Sequence, residues 1–170
     1  DALLLVAYPE TGSLILKAAF QQGFFNSRTQ IVATDGLKDQ NLASLVGKDR
    51  QGRYLAENLV DTAPQVRGQG FQAFRDRFQQ TYKAEPTIYD PNTWDALALF
   101  TLAAESVQSM TGAGIRSKLQ AIANPPGQSV TDVCQGLSQV RQGQDIDYEG
   151  ASGTVDLNTD GDVTGNYEVW

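Results

Sequence analysis

One pattern at the start of the chain constrains its fold most. Residues 1–7, DALLLVA, form a nearly continuous apolar run, which predicts a strand buried on both faces. Pro9 and Gly12 interrupt regular structure after it, and apolar residues then recur at helical spacing up to Gly23, which suits a helix C-terminus. Residues 30–34, QIVAT, predict a second strand. A strand–helix–strand unit of this type predicts an α/β fold with a parallel sheet.

The stretches that follow these two strands are the first candidates for a binding site. In open α/β sheets, ligands bind beyond the carboxyl ends of the strands. Ala7 and Tyr8 follow the first strand, and Asp35 follows the second, next to Gly36. Such an aspartate can reach a cationic group, but aspartates also shape turns and cap helices. Tyr8 fits either a ligand contact or a half-buried aromatic residue at a strand end.

The amino-acid composition excludes several kinds of catalytic and metal site. The chain has 170 residues, 41% hydrophobic and 19% charged, which is typical of a globular domain with a sizeable core. It contains no His and one Cys, Cys134, so His-dependent triads and most zinc sites are excluded. Cys134 is either a buried thiol or the partner of a cysteine elsewhere in a longer protein. No apolar run approaches the about 20 residues of a membrane helix.

The negative charge is concentrated at one end. The net charge is −7, and the seven acidic residues after residue 144 supply all of it: Asp145, Asp147, Glu149, Asp156, Asp160, Asp162 and Glu168. The sequence has no basic cluster to neutralise phosphates, so nucleic acid is not an expected partner. The chain opens inside an expected strand without Met or a leader, which favours a processed piece of a longer protein.

The middle of the chain predicts helices in succession. Residues 53–60 predict a third strand, which ends at a polar turn over residues 61–64. The aromatic residues of the next helix lie at steps of three and four, typical of a packed face: Phe71, Phe74, Phe78 and Tyr82. A long helix is expected after Tyr89, capped by Asn92 or Thr93. Residues 68–142 offer no strand of their own, so these helices are expected to pack on a sheet outside the chain.

Residues 156–162, DLNTDGD, match the opening of a calcium loop, with oxygen ligands at positions 1, 3 and 5 and Gly at position 6. Position 12 should be a bidentate Glu but is Tyr167, and Glu168 is one place late. The flanks also predict strands rather than paired helices. Asp-Gly between such flanks indicates a hairpin, so a terminal hairpin is expected and a metal site is not.

A nucleotide-binding enzyme is a further alternative. Its first turn would need Gly-x-Gly-x-x-Gly, whereas residues 8–12, YPETG, supply one Gly and place Glu10 at the phosphate position. Glu10 and Asp35 could form an acid–base pair, although a carboxylate at a helix start is the commoner explanation. We therefore expect neither a cofactor nor catalysis.

Several segments together resemble a known family. They are VAYPETGSLILKAAFQQG, VATDG, YDPNTWDALALF, NPPG and YEGASGTVDLNTDGDVTGNYEVW, in this order along the chain. The chain resembles the C-terminal portion of the periplasmic branched-chain amino-acid binding proteins, the type I solute-binding proteins of ABC importers. The resemblance implies one part of a two-lobed fold: residues 1–64 as an α/β part of the second lobe, 65–144 as a helical part, and 145–170 as an acidic hinge and hairpin tail.

The resemblance also implies site residues. Ala7 and Tyr8 would face the ligand, Asp35 would take its α-ammonium group, and Tyr89 would line the pocket. Family members often carry an aromatic residue where this chain has Ala7, so the substrate stays open. The carboxylate of the ligand would be held by the part of the fold that the chain lacks.

The implied partners are a small amino-acid-like solute and the membrane permease of an ABC transporter. The implied location is periplasmic or extracellular, with lipid anchoring of the longer protein as one form. A ligand-sensing receptor or regulator on the same fold, binding amides, urea or other small polar solutes, is the alternative. Self-association of the chain through its uncovered helices is a further expectation.

Overall fold

The structure is a computed structural model that describes residues 2–25 and 29–170. The described chain divides into two compact units. We call Asp1–Pro64 with Tyr167–Trp170 the sheet unit, and Gln65–Asn166 the helical unit. No helix in the described ranges combines the length and the apolar character needed to cross a membrane.

The sheet unit contains a four-stranded sheet. In the order of the sheet, its strands are β1 (Ala2–Leu5), β2 (Gln30–Thr34), β3 (Leu59–Pro64) and β6 (Tyr167–Val169). The first three are parallel, and β6 is antiparallel to β3. Helix α1 (Pro9–Gln21) joins β1 to β2, and the short α2 (Leu42–Val46) lies between β2 and β3. The expected α/β fold with a parallel sheet is confirmed.

Helices α1 and α2 share one core with one face of this sheet. Leu5 and Ile31 pack there with Leu16 of α1 and Val46 of α2. On the other face of the sheet, Leu4 of β1 is 65% exposed and Val60 of β3 is 38% exposed. The expectation that the first strand is buried on both faces is therefore wrong for the described residues. The apolar run fits the strand, but within this chain it packs on one side only.

Two helices of the sheet unit end just before a glycine, and the one at Gly23 was expected. Helix α1 ends at Gln21, and Gly23 follows with φ of 72°. Helix α2 ends at Val46, and Gly47 follows with φ of 94°. Positive φ angles of this kind favour glycine because it has no Cβ atom.

Two strand predictions differ from the structure. The third strand is Leu59–Pro64 rather than residues 53–60, so the segment predicted as a polar turn is itself the strand. The predicted terminal hairpin does not form as two paired strands; an isolated bridge joins Leu157 to Val163. The last segment instead pairs with β3, where Ala63 lies opposite Glu168.

The helical unit contains four helices in the part of the chain described: α3 (Phe71–Tyr82), α4 (Asp90–Val107), α5 (Gly112–Ala123) and α6 (Val133–Arg141). It also has a two-stranded parallel sheet of β4 (Gln128–Val130) and β5 (Ile146–Tyr148). Residues 68–142 were expected to lack a strand, and β4 corrects this. Leu102, Ile122 and Ile146 belong to the core that joins α4 and α5 to this small sheet.

The aromatic face of α3 is confirmed as a row of contacts. The ring centroids of Phe74 and Phe78 are 5.7 Å apart, and those of Phe78 and Tyr82 are 4.7 Å apart. Phe74 also contacts Trp94 of α4 at 5.8 Å and is buried. Tyr82, at the end of the row, is 67% exposed, so the packing fades toward the helix C-terminus.

Candidate functional site

The segment after β1 turns directly into a helix. Tyr8 is the residue before α1 and has an extended backbone, with φ of −102° and ψ of 161°. Pro9 follows as the first residue of the helix, a position where the missing N–H costs nothing. The Gly12 N–H donates to the Tyr8 carbonyl at 2.7 Å and closes the first turn. The sequence therefore places Tyr8 at the carboxyl end of β1 and leaves its side chain 70% exposed.

The segment after β2 forms a single 3-10 turn, Asp35–Leu37. Leu37 anchors this turn because its side chain is fully buried in the core of the sheet unit. The turn lies against α1: a Cβ atom on Gly12 would be only 2.5 Å from Leu37 Cδ2 and 3.2 Å from Ala7 Cβ. The absence of a side chain at Gly12 allows the turn to approach the start of α1 this closely.

Gly36 brings the two predicted loops together. A Cβ atom on Gly36 would lie 2.8 Å from the Ala7 carbonyl oxygen and 3.6 Å from the Tyr8 ring. Ala7 and Asp35 are half-buried and Tyr8 is exposed. Three of the four predicted site residues, Ala7, Tyr8 and Asp35, thus lie around one contact at the carboxyl edge of the sheet.

Tyr89, the fourth predicted site residue, belongs to the helical unit. It precedes the first residue of α4 and is 40% exposed. Its carbonyl oxygen accepts hydrogen bonds from the N–H and the hydroxyl of Thr93, both at 3.0 Å. The predicted caps Asn92 and Thr93 are therefore wrong, because α4 begins earlier, at Asp90. The carboxylate of Asp90, the first residue of α4, accepts a hydrogen bond from the Thr87 N–H at 2.6 Å.

A buried carboxylate in the helical unit was missed from the sequence. Asp95 is 2% exposed, and its two oxygens accept from the Ala151 N–H at 2.8 Å and from the N–H and hydroxyl of Ser152 at 2.7 and 2.6 Å. The Tyr148 hydroxyl donates to it at 3.1 Å. Burial, followed by the charge of Asp95, raises the pKa of Tyr148. The helical phase offered a signal, because Asp95 shares the buried face of α4 with Leu99 and Leu102.

These four bonds give Asp95 a structural role. They hold residues 151–152 against α4 and use both carboxylate oxygens. Buried polar groups need hydrogen-bond partners, and these donors satisfy the Asp95 carboxylate. Asp95 therefore anchors residues 151–152 to α4 and is not a ligand contact.

Asp61 and the charged groups near it were also missed. Asp61 lies in β3, in the segment predicted as a polar turn, and is fully buried. Lys38, just beyond the Asp35 turn, forms an ion pair with Glu168 of β6 and lies over the Trp170 ring, 5.7 Å from its centroid. No spacing rule links residues so far apart in the sequence; the pairing of β3 with β6 brings them together.

The segment that resembles a calcium loop is closed by its own hydrogen bonds. The side-chain oxygen of Asn158 accepts from the N–H groups of Asp160 and Asp162, each at 2.9 Å. The Asn158 N–H donates to the Asp162 carbonyl at 2.9 Å, beside the bridge between Leu157 and Val163. In the described ranges, no group of three or more His, Cys, Asp or Glu residues is placed to hold a metal ion. A calcium loop would use Asn158 as a metal ligand, whereas here its side chain accepts hydrogen bonds within the turn.

The single cysteine is also placed. Cys134 lies near the start of α6 and is exposed. The expectation of a buried thiol is therefore wrong. The helix places this side chain away from the buried Gly136 two positions later.

Comparisons with solved structures show the fold. The chain matches the leucine binding protein LivK from Thermotoga maritima with a TM-score of 0.67 and 21% identity, over 99% of this chain and 40% of that one. It matches the branched-chain amino acid transporter substrate binding protein LivJ from Streptococcus pneumoniae, solved in complex with isoleucine, with a TM-score of 0.64 and 17% identity, again over 99% and 40%. These matches show the type I periplasmic binding fold, of which this chain spans about 40% of the length.

The family follows from the sequence itself. A family model described as the receptor family ligand binding region matches residues 1–170. The chain belongs to this family. Its resemblance to the binding proteins is thereby confirmed at the level of family and fold, and the family binds ligands rather than catalysing reactions. A search of curated proteins gave no significant match.

Proposed function

We propose that this chain is part of the substrate-binding component of an ABC importer and captures a small amino-acid-like solute without covalent chemistry. The contact of Gly36 with Ala7 and Tyr8 carries this proposal, because it places a carboxylate, an aromatic ring and a small residue at one edge of a parallel sheet. That edge is where ligands of open α/β folds bind. Family membership and the leucine- and isoleucine-binding neighbours support it.

Each site residue has a proposed role. Asp35 accepts the α-ammonium group of the ligand, an interaction that contributes about 1.5–3 kcal/mol when the hydrogen bond is charge-assisted. The exposed Tyr8 ring covers the apolar part of the ligand, and Ala7 leaves room for it. Tyr89 lines the ligand pocket, as the resemblance implies. The carboxylate group of the ligand is held by the part of the full-length protein that lies outside these 170 residues. The lobes close because the ligand binds the closed state more tightly than the open state.

The proposed partner and location follow from the same function. A binding component of an importer delivers its solute to a membrane permease. It therefore works outside the cytoplasmic membrane, in the periplasm or at the cell exterior, free or anchored by a lipid. The alternative is a ligand-sensing receptor, which the description of the family favours. A membrane helix or a DNA-binding domain attached to the full-length protein would identify that alternative.

A thermal-shift screen of the full-length protein tests the proposal. The panel holds the twenty amino acids, urea and short amides. A ligand that binds with micromolar affinity stabilises by about 4 kcal/mol at millimolar concentration. Stabilisation by neutral or branched amino acids supports the importer function. Stabilisation by urea or amides alone would contradict the role of Asp35 as an ammonium acceptor, and no response to any member would contradict amino-acid capture.

A further inference from the structure

The sheet unit has a cavity at the edge opposite its candidate binding site. Helix α1 starts beside Tyr8 at the carboxyl edge of the sheet and runs back toward the start of β2, so its last turn lies near the amino edge. The cavity has a volume of about 570 Å³ and lies between that turn, the end of α2 and the loop of residues 47–55. Ligand pockets commonly measure about 300–1,000 Å³, so a small organic molecule fits this one.

The walls of this cavity are apolar on the inside and positively charged at the mouth. Phe20, Val46 and Leu55 pack on the core of the sheet unit and form the floor. Exposed cationic side chains also line the cavity, and they are Lys17, Lys48 and Arg50. We call it the basic cavity. Folding brings Lys17 of α1 to the other two from a distant part of the sequence, so the linear pattern shows no basic cluster.

In the described ranges, Asp49 is the one carboxylate that lines the basic cavity, and its charge is already compensated. It accepts hydrogen bonds from the N–H and the guanidinium Nε of Arg53, each at 2.9 Å, and from the Gln51 N–H at 2.8 Å. The hydrogen bond from the Arg53 N–H is the main reason why the pKa of Asp49 lies below its ordinary value. Among residues 2–25 and 29–170, no carboxylate forms an ion pair with any of the three cationic side chains. The basic cavity therefore carries uncompensated positive charge in a chain whose net charge is −7.

The loop that carries Lys48 and Arg50 is held in place by its own contacts. The Leu55 N–H donates to the Gly47 carbonyl at 3.0 Å, and Lys48 forms a β-bridge with Tyr54. The Lys48 ammonium lies 4.3 Å from the centroid of the Tyr54 ring, a distance typical of a cation–π contact. A preformed site of this kind loses little conformational freedom on binding.

We propose that the basic cavity is a second binding site, for a small organic anion. The carboxylate or phosphate group of the anion lies among the three cationic side chains, because Lys and Arg form charge-assisted hydrogen bonds with both kinds of oxyanion. The apolar part of the anion lies on Phe20 and Leu55, and its burial adds affinity. A zwitterionic amino acid fits poorly, because its ammonium group would meet the lysines. The inference therefore holds whatever ligand binds at the other edge of the sheet.

Calorimetric titration of the full-length protein at low ionic strength tests the proposal. Phenyl phosphate and phenylacetate are the probes; inorganic phosphate, which lacks the apolar part, and benzyl alcohol, which lacks the charge, are the controls. We expect at least one probe to bind about tenfold more tightly than both controls, with an affinity that falls as salt is added. The tighter probe identifies the preferred oxyanion. Binding of neither probe, or binding no tighter than that of the controls, would overturn the proposal.

Arg50→Gln removes one positive charge from the mouth of the basic cavity. It should weaken binding of the preferred probe about tenfold. Arg116→Gln, which removes an exposed cation from the helical unit, is the matched control and should leave this affinity unchanged. If Arg50 serves only the carbonyl ends of the nearby helices, its variant would lower the melting temperature and bind the probe as the wild type does. That result would overturn the proposal.

Gln51→Glu adds a negative charge at the same mouth. Gln51 is exposed and lines the basic cavity, so the substitution should spare folding. Binding of the preferred probe should weaken, because the new carboxylate repels the anion. An unchanged affinity, with the melting temperature of the wild type, would show that the probe binds elsewhere and would overturn the proposal.

Competition with L-isoleucine separates this proposal from the proposed function. Saturating isoleucine should leave the affinity for the preferred probe unchanged, because the two sites lie at opposite edges of the sheet. Displacement of the probe by isoleucine would show that both bind at one site and would overturn the second site. Failure of isoleucine to bind, with the effect of Arg50→Gln present, would count against the proposed function alone.

Discussion

Gly36 lies so close to Ala7 that a methyl group at residue 36 would be 2.8 Å from the Ala7 carbonyl oxygen. The neighbouring atom is backbone oxygen at a strand end, which cannot rotate away as a side chain can. The turn that carries Asp35 can therefore lie this close to β1 only with glycine at residue 36.

Gly36→Ala should push the Asp35 turn away from β1. We expect the full-length protein to lose about 1–3 kcal/mol of stability, as in other overpacked sites. Affinity for its amino acid should fall about tenfold, since a charge-assisted hydrogen bond is weakened. Chemical denaturation measures the loss of stability, and calorimetric titration measures the loss of affinity. Gly153→Ala is the control, because a Cβ atom there meets nothing within 4 Å, and unchanged affinity in Gly36→Ala would refute this account of the turn.

Asp95→Ala should destabilise the helical unit. It leaves the N–H groups of Ala151 and Ser152 without their acceptor, and a buried donor without a partner costs about 1–3 kcal/mol. We expect a total loss of about 3 kcal/mol or more in urea denaturation. Asp76→Ala, at an exposed position of α3, should change stability by about 0.5 kcal/mol or less. Similar midpoints for the two variants would show that Asp95 has no fixing role.

Asn158→Ala should loosen the Asn158–Asp162 turn without affecting any metal response. The variant loses an acceptor for two N–H groups, a change that costs about 1 kcal/mol in comparable caps. Millimolar calcium, or a chelator, should leave the melting temperature of the wild type unchanged. A calcium-dependent rise that disappears in Asn158→Ala would restore the calcium loop.

The stability of the helical unit should decrease as pH rises. Burial, followed by the charges of Asp156 and Asp145, raises the pKa of Asp147; burial and the charge of Asp147 raise the pKa of Glu149. Both groups bind protons more tightly when folded. Their favourable contribution is complete below the unfolded pKa of about 4 and is lost as pH rises through the higher folded values.

Asp147→Asn should therefore raise the melting temperature at neutral pH and have little effect in acid. Thermal melts at a series of pH values measure this. Added salt should stabilise the wild type more than the variant, because it screens the like charges. A larger gain for Asp147→Asn in acid than at neutral pH would contradict the sign of the effect.

The sequence predicts well where local patterns decide structure. Pro9 and Gly23 mark the two ends of α1, and the strands on either side of it follow from their apolar runs. Gly12, predicted to interrupt regular structure, lies inside α1 instead. The sequence predicts poorly where distant pairing decides. Residues 61–64 have the composition of a turn and become a strand because β2 and β6 pair with them on either side.

The candidate site shows the same division. Ala7, Tyr8 and Asp35 were predicted because strand ends mark ligand sites in this class of fold, and as ligand contacts they stay predictions. Asp61 was missed because its burial depends on the pairing of β3 with β6, which does not appear in a linear pattern. The spacing of Asp95 from Leu99 and Leu102 on α4 indicates that it is buried. Its hydrogen-bond partners lie more than 50 residues away in the sequence, so they could not be predicted.

Isothermal titration of an amino acid to full-length Asp35→Asn tests the central claim most directly. The substitution keeps the size and one acceptor oxygen but removes the charge that the ligand ammonium needs. We expect at least about a tenfold loss of affinity, with the melting temperature of the ligand-free protein nearly unchanged, whereas Glu57→Gln should bind as the wild type does. Wild-type affinity in Asp35→Asn would show that the ammonium group is bound elsewhere.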